Sequence, residues 1–293
     1  MTLGGERPTT DRVPVRPRDT PRDASTRGTT MADDQIRFDD GAAYEDFMGR
    51  WSLQAGNAFL DWLAPAKGLR WLDVGCGNGA FTELLAGRCA PAHVKGVDPS
   101  EGQLAFARTR FAGARDVGFS LGDAMALPFP DGSFDAVASA LVLFFIPDPA
   151  KGVAEMARVI RPGGGVCGYV WDIHGGGFPY FALQDEMARL GMQPMLPPRT
   201  DVSRLDALRS TFEGAGLVDV ETTELVVQRR FDDFEDFWTA ASRGPGIAPR
   251  LSAQPGGQRD LLRSRMRDRL PAAADGSITT SARATAVRGR RGG

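Results

Sequence analysis

Apolar residues recur along the chain at two different periods, and these predict helices and strands in succession. Residues 42–63, AAYEDFMGRWSLQAGNAFLDWL, carry apolar side chains three and four positions apart, which predicts an amphipathic helix. From residue 69 to 171, five short apolar segments predict buried strands, and segments with helical spacing lie between most of them. Strands that alternate with helices of about ten residues predict a parallel sheet covered on both faces.

The pattern changes after Trp171. Residues 173–200 are interrupted by Gly and Pro and contain aromatic and methionine side chains, which predicts an inserted cover over an apolar acceptor. A structural helix without substrate contact is the alternative. The aromatic and methionine residues of this segment are Phe178, Tyr180, Phe181, Met187, Met192 and Met195.

The C-terminal part, residues 201–290, is predicted to contain further helices and two strands. The segment DVETTELVVQRRF predicts a long strand. The last strand, GSITTSARATAVRG, alternates with polar residues, as strands do that lie antiparallel at or near a sheet edge.

Composition divides the chain into two parts. Residues 1–35 are predicted to be a disordered tail because the stretch 1–30 is rich in Arg, Pro and Thr and has almost nothing to bury. A transit peptide is the alternative, but the acidic residues and prolines of this stretch argue against it. We expect the functional chain to start at Met31. Residues 36–293 are predicted to form a single domain, with a cofactor-binding half at 68–172.

Charge and cysteine content narrow the class of protein. The net charge is −2, so we predict no nucleic-acid partner. The three cysteines lack the spacing of metal ligands, so we predict no metal. No apolar run is long enough to span a membrane, so no stable membrane insertion is expected. Few cysteines are typical of a reducing compartment, which favours a cytoplasmic protein.

A glycine cluster marks the candidate cofactor loop in RWLDVGCGNGAFTELL, residues 70–85. Gly75, Gly77 and Ala80 satisfy the G-x-G-x-x-A pattern, so a dinucleotide fold is a legitimate interpretation. Glycine permits a close backbone approach to a ligand, and the following helix begins with free N–H groups. Either a dinucleotide or a phosphate-free cofactor can use these features.

Three acidic residues favour the phosphate-free cofactor. Asp73, Asp98 and Asp123 end three consecutive predicted strands. A carboxylate beside the loop repels a pyrophosphate but suits an ammonium group, and the other two suit a ribose and an adenine amine. Together they indicate S-adenosyl-L-methionine.

Residues 40–172 resemble the class I, Rossmann-like S-adenosylmethionine-dependent methyltransferases, most of all the small-molecule group that includes ubiquinone/menaquinone C-methyltransferases. The resemblance is carried by LDVGCGNG, GVDPSEGQLAFAR, GDAMALPFPDGSFDAV and RVIRPGG. It implies an α/β fold with a doubly wound seven-stranded sheet, mostly parallel with the last strand antiparallel, plus helical cover segments. The implied activity is transfer of a methyl group to a small-molecule acceptor by in-line displacement.

The resemblance also implies a set of cofactor-binding residues. Asp73 to Gly79 would hold the methionine part, Asp98 the ribose, and the remaining positions the adenine and the methionyl group. Arg50 is a candidate partner for the methionyl carboxylate. The full set is Asp73, Gly75, Cys76, Gly77, Asn78, Gly79, Asp98, Pro99, Ser100, Asp123, Ala124, Ala140, Leu141 and Arg50.

A catalytic base is not assigned, because methyl transfer to a reactive acceptor needs only orientation and desolvation. The weak candidates are His174, Asp172 and Tyr44. Similar enzymes can place a histidine after the fourth strand, where this chain has Phe144 and Phe145, which predicts an apolar wall instead. Trp51 is predicted either to face the sulfonium or to pack inside its helix.

Three other functions stay open. A nucleic-acid methyltransferase is disfavoured because no Asn/Asp-Pro-Pro-aromatic motif or basic groove is present. A nicotinamide oxidoreductase would leave Asp73 and Asp123 without a role. A non-catalytic S-adenosylmethionine-binding protein would share the same loop motifs.

Overall fold

Seven strands form one sheet in the order β3-β2-β1-β4-β5-β7-β6. The computed structural model describes residues 45–193, 196–244 and 246–293, so the predicted tail and Tyr44 lie outside the described residues. The strands are β1 (Arg70–Val74), β2 (His93–Asp98), β3 (Val117–Leu121), β4 (Phe134–Ala140), β5 (Ile160–Trp171), β6 (Leu217–Phe231) and β7 (Ile278–Arg291).

Helices flank the sheet and follow the predicted alternation. A short π-helix, Glu45–Gly49, leads directly into the first α-helix, and 3-10 turns occur at Leu143–Phe145 and Thr200–Ser203. The α-helices are α1 (Arg50–Leu63), α2 (Ala80–Arg88), α3 (Glu101–Arg110), α4 (Pro149–Val159), α5 (Phe181–Arg189), α6 (Leu205–Gly214), α7 (Phe234–Ser242), α8 (Ala248–Ser252) and α9 (Gly256–Arg269).

The first five strands are parallel, and β7 runs antiparallel to both β5 and β6. The predicted Rossmann-like sheet with an antiparallel last strand is therefore confirmed. The strand β7 lies one position inside the edge, and β6 forms the edge itself. The buried positions of β7 hold small residues such as Ala284 and Ala286, which are fully buried.

The strand order creates a crevice at one edge of the sheet. Because β1 pairs with β2 on one side and β4 on the other, the chain crosses over between these neighbours. Ligands of open α/β sheets bind at such a switch point, beyond the carboxyl ends of the strands. The sheet therefore positions the loops after β1, β2 and β4 around one site.

The helix α1 packs one face onto the sheet, as its apolar spacing predicts. Trp51, Ala55 and Phe59 recur every four residues and are fully buried, and the Phe59 ring lies 4.7 Å from the Tyr169 ring. Burying a side chain of this size contributes roughly 1.5–3 kcal/mol. Packing of this face holds the start of α1, including Arg50, beside the crevice.

Candidate functional site

One large cavity, of about 1080 Å³, lies at the carboxyl edge of the sheet. The loops after β1, β2 and β4 line it, together with residues of α1, the end of β6 and α7. Ligand pockets commonly measure about 300–1,000 Å³, so the space suits a cofactor together with a second small molecule.

The glycine loop follows β1 and forms part of the cavity wall. Gly75 has a φ of +74°, and a Cβ atom there would lie 2.5 Å from the Val142 side chain, so only glycine fits without a shift. The N–H groups of Gly75 and Cys76 donate hydrogen bonds to the Val97 carbonyl at 2.8 and 3.1 Å. These bonds attach the loop to β2, beside Asp98.

Asp98 is held by the backbone on both sides of its carboxylate. Its Oδ2 accepts a hydrogen bond from Gly77 N and its Oδ1 accepts one from Ser100 N, both at 2.9 Å. Burial raises the pKa of this carboxyl above its ordinary value. Each carboxylate oxygen can accept further hydrogen bonds, so the group is oriented to receive hydroxyl groups from the cavity.

The end of β4 supplies a strained and largely apolar part of the wall. Leu141 has a φ of +62°, a conformation that side chains other than glycine rarely adopt, and its N–H donates to the Tyr169 carbonyl at 2.7 Å. Phe145 lies on the cavity wall, whereas Phe144 is buried behind it. Of the two phenylalanines that predicted an apolar wall, only Phe145 lines the cavity.

Most of the predicted cofactor residues lie together on this wall. The structure brings together Gly75, Cys76, Gly77, Asn78, Asp98, Pro99, Ser100, Ala140, Leu141 and Arg50. The Cys76 thiol is buried, and this burial raises its pKa, as expected for a packed residue whose backbone faces the cavity.

Asp73 lies beside the glycine loop but not on the cavity wall, and its contact with a ligand ammonium stays a prediction. Its side chain is buried, and its Oδ2 accepts a hydrogen bond from the Thr82 hydroxyl at 2.6 Å. Burial raises the pKa of this carboxyl to about 7. Asp73 Oδ1 is buried without a hydrogen-bond partner among the described residues. Thr82, which the motif alone does not single out, is therefore the partner of Asp73.

Three further predicted residues lie off the wall. Asp123 is exposed after the end of β3, and its Oδ1 accepts a hydrogen bond from Met125 N at 2.8 Å. Ala124 packs against the core, and a Cβ atom added at Gly79 would point toward Phe111 and Ala107. A contact of Asp123 with an adenine stays a prediction.

The weak base candidates lie away from the cavity. His174 is exposed and is not on the cavity wall. Asp172 is buried, and its Oδ2 accepts hydrogen bonds from Arg283 Nη2 at 2.5 Å and Nε at 3.0 Å, while Oδ1 accepts one from Gly175 N. These contacts give Asp172 a structural role in joining β5 to β7. Neither residue lines the cavity, and a role as base stays a prediction for both.

The predicted substrate cover, residues 173–200, stays a prediction, and the structure shows where its residues pack. None of its described residues lies on the cavity wall. Tyr180 and Met187 are buried in the core, and Trp51 is buried beside Tyr180, so its packed interpretation holds. Met192 is buried as well, whereas Phe181 is exposed, and Met195 lies outside the described residues.

The end of β6 and the helix α7 also line the cavity, and the sequence patterns did not predict this. Their wall residues are Arg229, Arg230, Asp232, Asp236, Thr239, Ala240 and Arg243. One signal was present in the sequence. Arg229 occupies an inward position of β6 between Val227 and Phe231, where the alternation predicts an apolar residue.

No cluster of metal-ligating side chains occurs within the described ranges, 45–193, 196–244 and 246–293. Within the same ranges, no helix has the length and apolar character needed to cross a membrane.

The strand order and the crevice define an open, Rossmann-like α/β sheet. Residues 72–167 match a family model described as a methyltransferase domain. This match covers the glycine loop, Asp98 and the strands β2 to β4. The resemblance carried by the four motifs is therefore confirmed.

Curated relatives share this same region. Demethylmenaquinone methyltransferase from Clavibacter sepedonicus is 44% identical over 102 residues, which are 35% of this chain and 41% of that protein. The enzyme of the same name from Staphylococcus aureus (strain JH9) is 42% identical over 99 residues, 33% of this chain and 41% of that protein. The chain thus matches about two fifths of the length of these relatives.

Solved structures share the fold over most of the chain. The YcgJ protein from a Bacillus species superposes with a TM-score of 0.54 at 20% identity, covering 82% of this chain and 98% of that one. A phosphoethanolamine N-methyltransferase from Haemonchus contortus, crystallised with S-adenosyl-L-methionine, gives 0.53 at 21% identity, covering 86% and 56%. At these identities the likeness shows the fold.

Proposed function

We propose that this protein transfers a methyl group from S-adenosyl-L-methionine to a small-molecule acceptor. The observation that carries the proposal is the shared cavity wall of the glycine loop and Asp98, with the carboxylate fixed by Gly77 N and Ser100 N. The methyltransferase family match over residues 72–167 supports it.

The wall residues fit this cofactor. Asp98 would hold the ribose hydroxyls, the backbone from Gly75 to Asn78 the methionyl part, and Pro99 with Ser100 the adenine. Leu141 and Ala140 would contact the methionyl group from the end of β4. Arg50, an exposed cation on the same wall, would pair with the methionyl carboxylate.

When bound, the cofactor would supply an electrophilic methyl group on a sulfonium to an acceptor that has a free electron pair. The chain contributes orientation and exclusion of water. Leu141, Val142 and Phe145 present apolar surface beside the cofactor wall. Orientation of two reactants is worth up to roughly 7–11 kcal/mol in favourable intramolecular cases. The positions of His174 and Asp172 leave the chemistry to an acceptor that is itself nucleophilic.

The acceptor is proposed to be small and partly apolar. The apolar part of the wall around Phe145 supports this. Because the matched relatives are named demethylmenaquinone methyltransferases, quinone-type compounds are the first acceptors to test. We further propose that the protein works in the cytoplasm and does not act on nucleic acid, in keeping with a net charge of −2.

The test is calorimetry of the full chain with S-adenosylmethionine, S-adenosylhomocysteine and NAD in parallel. Micromolar binding of the two adenosyl ligands without NAD binding is expected. Binding of NAD alone would show that the loop is a dinucleotide site. Release of S-adenosylhomocysteine with quinone, phenol or amine acceptors then distinguishes an enzyme from a protein that binds the cofactor without turnover.

A further inference from the structure

An arginine, Arg229, lines the same cavity as the glycine loop. Arg229 lies near the carboxyl end of β6, which runs parallel to β5 through the intervening antiparallel β7. This end of β6 therefore reaches the same edge of the sheet as the loops after β1, β2 and β4. Both groups of residues line one cavity.

The Arg229 side chain is buried in apolar surroundings. It is 7% exposed and shares the inward face of β6 with Leu225, Val227 and Phe231. Its guanidinium carbon lies 4.3 Å from the centroid of the Phe231 ring. A charged group is rarely buried unless an opposite charge or a set of acceptors compensates it.

Within the described part of the chain, Arg229 has very little compensation. Its Nη1 donates one long hydrogen bond, 3.4 Å, to the Tyr180 hydroxyl, which itself donates to the Phe47 carbonyl at 3.0 Å. Arg229 Nε is buried without any partner, and no carboxylate of the described residues forms a salt bridge with Arg229. The neighbouring Arg230, by contrast, is exposed and pairs with Asp275 at 2.6 Å.

We infer that Arg229 binds an anionic group of the methyl acceptor, a carboxylate or a phosphate. The inference rests on the proposed methyltransferase function. A planar guanidinium presents paired donors that match these oxyanions, and the buried position strengthens the attraction. The Phe145 ring, which lines the same cavity, would contact the rest of the acceptor. The acceptor is thus an acid with a small apolar body.

The carboxylate of the cofactor is the competing occupant. Arg50 is exposed at the start of α1, whereas Arg229 is buried in β6, so the cavity offers two separate cations for two different anions. Substitution of Arg229 should therefore weaken acceptor binding and leave cofactor affinity in place.

The experiment titrates three probes, benzoate, phenyl phosphate and benzamide, into the full chain saturated with S-adenosylhomocysteine. At least one anion is expected to bind tenfold or more tightly than the neutral amide, and the preferred anion distinguishes a carboxylate from a phosphate. In Arg229→Gln this preference should disappear, while the Kd for S-adenosylhomocysteine should stay within twofold. Arg267→Gln is the matched control, because Arg267 also stacks on a ring, at 4.5 Å from the Phe234 centroid, but lies off the cavity wall.

Arg229→Lys keeps the test decisive if the glutamine variant does not fold. Lysine retains the charge but loses the paired donors, so anion affinity should fall at least threefold with cofactor affinity preserved. Equal binding of benzamide and both anions by the wild type overturns the inference alone. A tenfold loss of S-adenosylhomocysteine affinity in the Arg229 variants would assign this arginine to the cofactor. Absence of S-adenosylhomocysteine binding in the wild type would instead overturn the proposed function.

Discussion

The Thr82 hydroxyl donates a hydrogen bond of 2.6 Å to the Asp73 carboxylate inside the core, directly behind the glycine loop. Thr82 lies in α2, the helix that begins where the loop ends, and Asp73 lies in β1. The pair therefore joins the two elements that flank the loop. Burial outweighs this hydrogen bond and raises the pKa of Asp73 to about 7.

This pKa predicts a pH-dependent stability. Asp73 has a pKa near 4 in the unfolded chain, so the unfolded state releases the proton first and stability falls as pH rises from about 4 to about 7. The complete loss corresponds to at most about 4 kcal/mol. Urea unfolding of Asp73→Asn, compared with wild type at several pH values, should remove this part of the slope. The exposed Asp268→Asn is the control, and an unchanged slope in Asp73→Asn would contradict the assignment.

Replacement of Asp98 should weaken S-adenosylmethionine binding. The carboxylate is oriented by Gly77 N and Ser100 N, and hydrogen bonds to a charged group are worth roughly 1.5–3 kcal/mol, which is roughly 10- to 150-fold in Kd. Calorimetry of Asp98→Ala measures this. Asp116→Ala, at an exposed aspartate before β3, should bind like the wild type. Wild-type affinity in Asp98→Ala would rule out the ribose contact.

Gly75→Ala should destabilise the loop for two reasons that can be separated. Its positive φ costs roughly 1–2 kcal/mol for alanine, and the contact of 2.5 Å with Val142 adds an overlap. Gly113→Ala is the matched control, since Gly113 has a φ of +88° with nothing within 4 Å of a Cβ.

A double-mutant cycle with Val142→Ala tests the overlap. The second substitution should restore part of the stability and cofactor affinity lost in Gly75→Ala, and it should not rescue Gly113→Ala. Thermal unfolding and calorimetry report the two quantities. Additive effects would show that Val142 does not restrict Gly75.

Substitution of Asp172 should lower the free energy of unfolding, whereas substitution of His174 should not, because only Asp172 has a structural role. Asp172→Asn removes the ion pair with Arg283 and should lower the free energy of unfolding by roughly 1–3 kcal/mol, with cofactor affinity unchanged. His174→Ala, at an exposed position off the cavity, should change neither stability nor turnover. A large loss of kcat in a stably folded His174→Ala protein would reinstate it as a base.

Deletion of residues 1–30 should leave cofactor affinity and thermal midpoint unchanged, because this stretch has almost nothing to bury. A lower midpoint by several degrees would show that the segment packs on the domain.

Local patterns in the sequence determined the elements and one side of the site. The alternation of strands and helices is set by side-chain periods within each segment, and the residues after β1 and β2 meet because parallel strands end at the same sheet edge. Gly75, Gly77 and Asp98 could therefore be placed on one wall without coordinates.

The tertiary structure alone decided the other side. Arg229 lies more than a hundred residues from the glycine loop, and its place on the cavity depends on how β7 and β6 join the sheet. The structural role of Asp172 depends on its ion pair with Arg283, 111 positions away. The side chain of Asp73 accepts a hydrogen bond from Thr82 in the following helix. The same holds for residues 173–200, whose apolar side chains were equally suited to a substrate or to a core. Burial and ion pairing between distant segments leave no local period, so sequence patterns cannot report them.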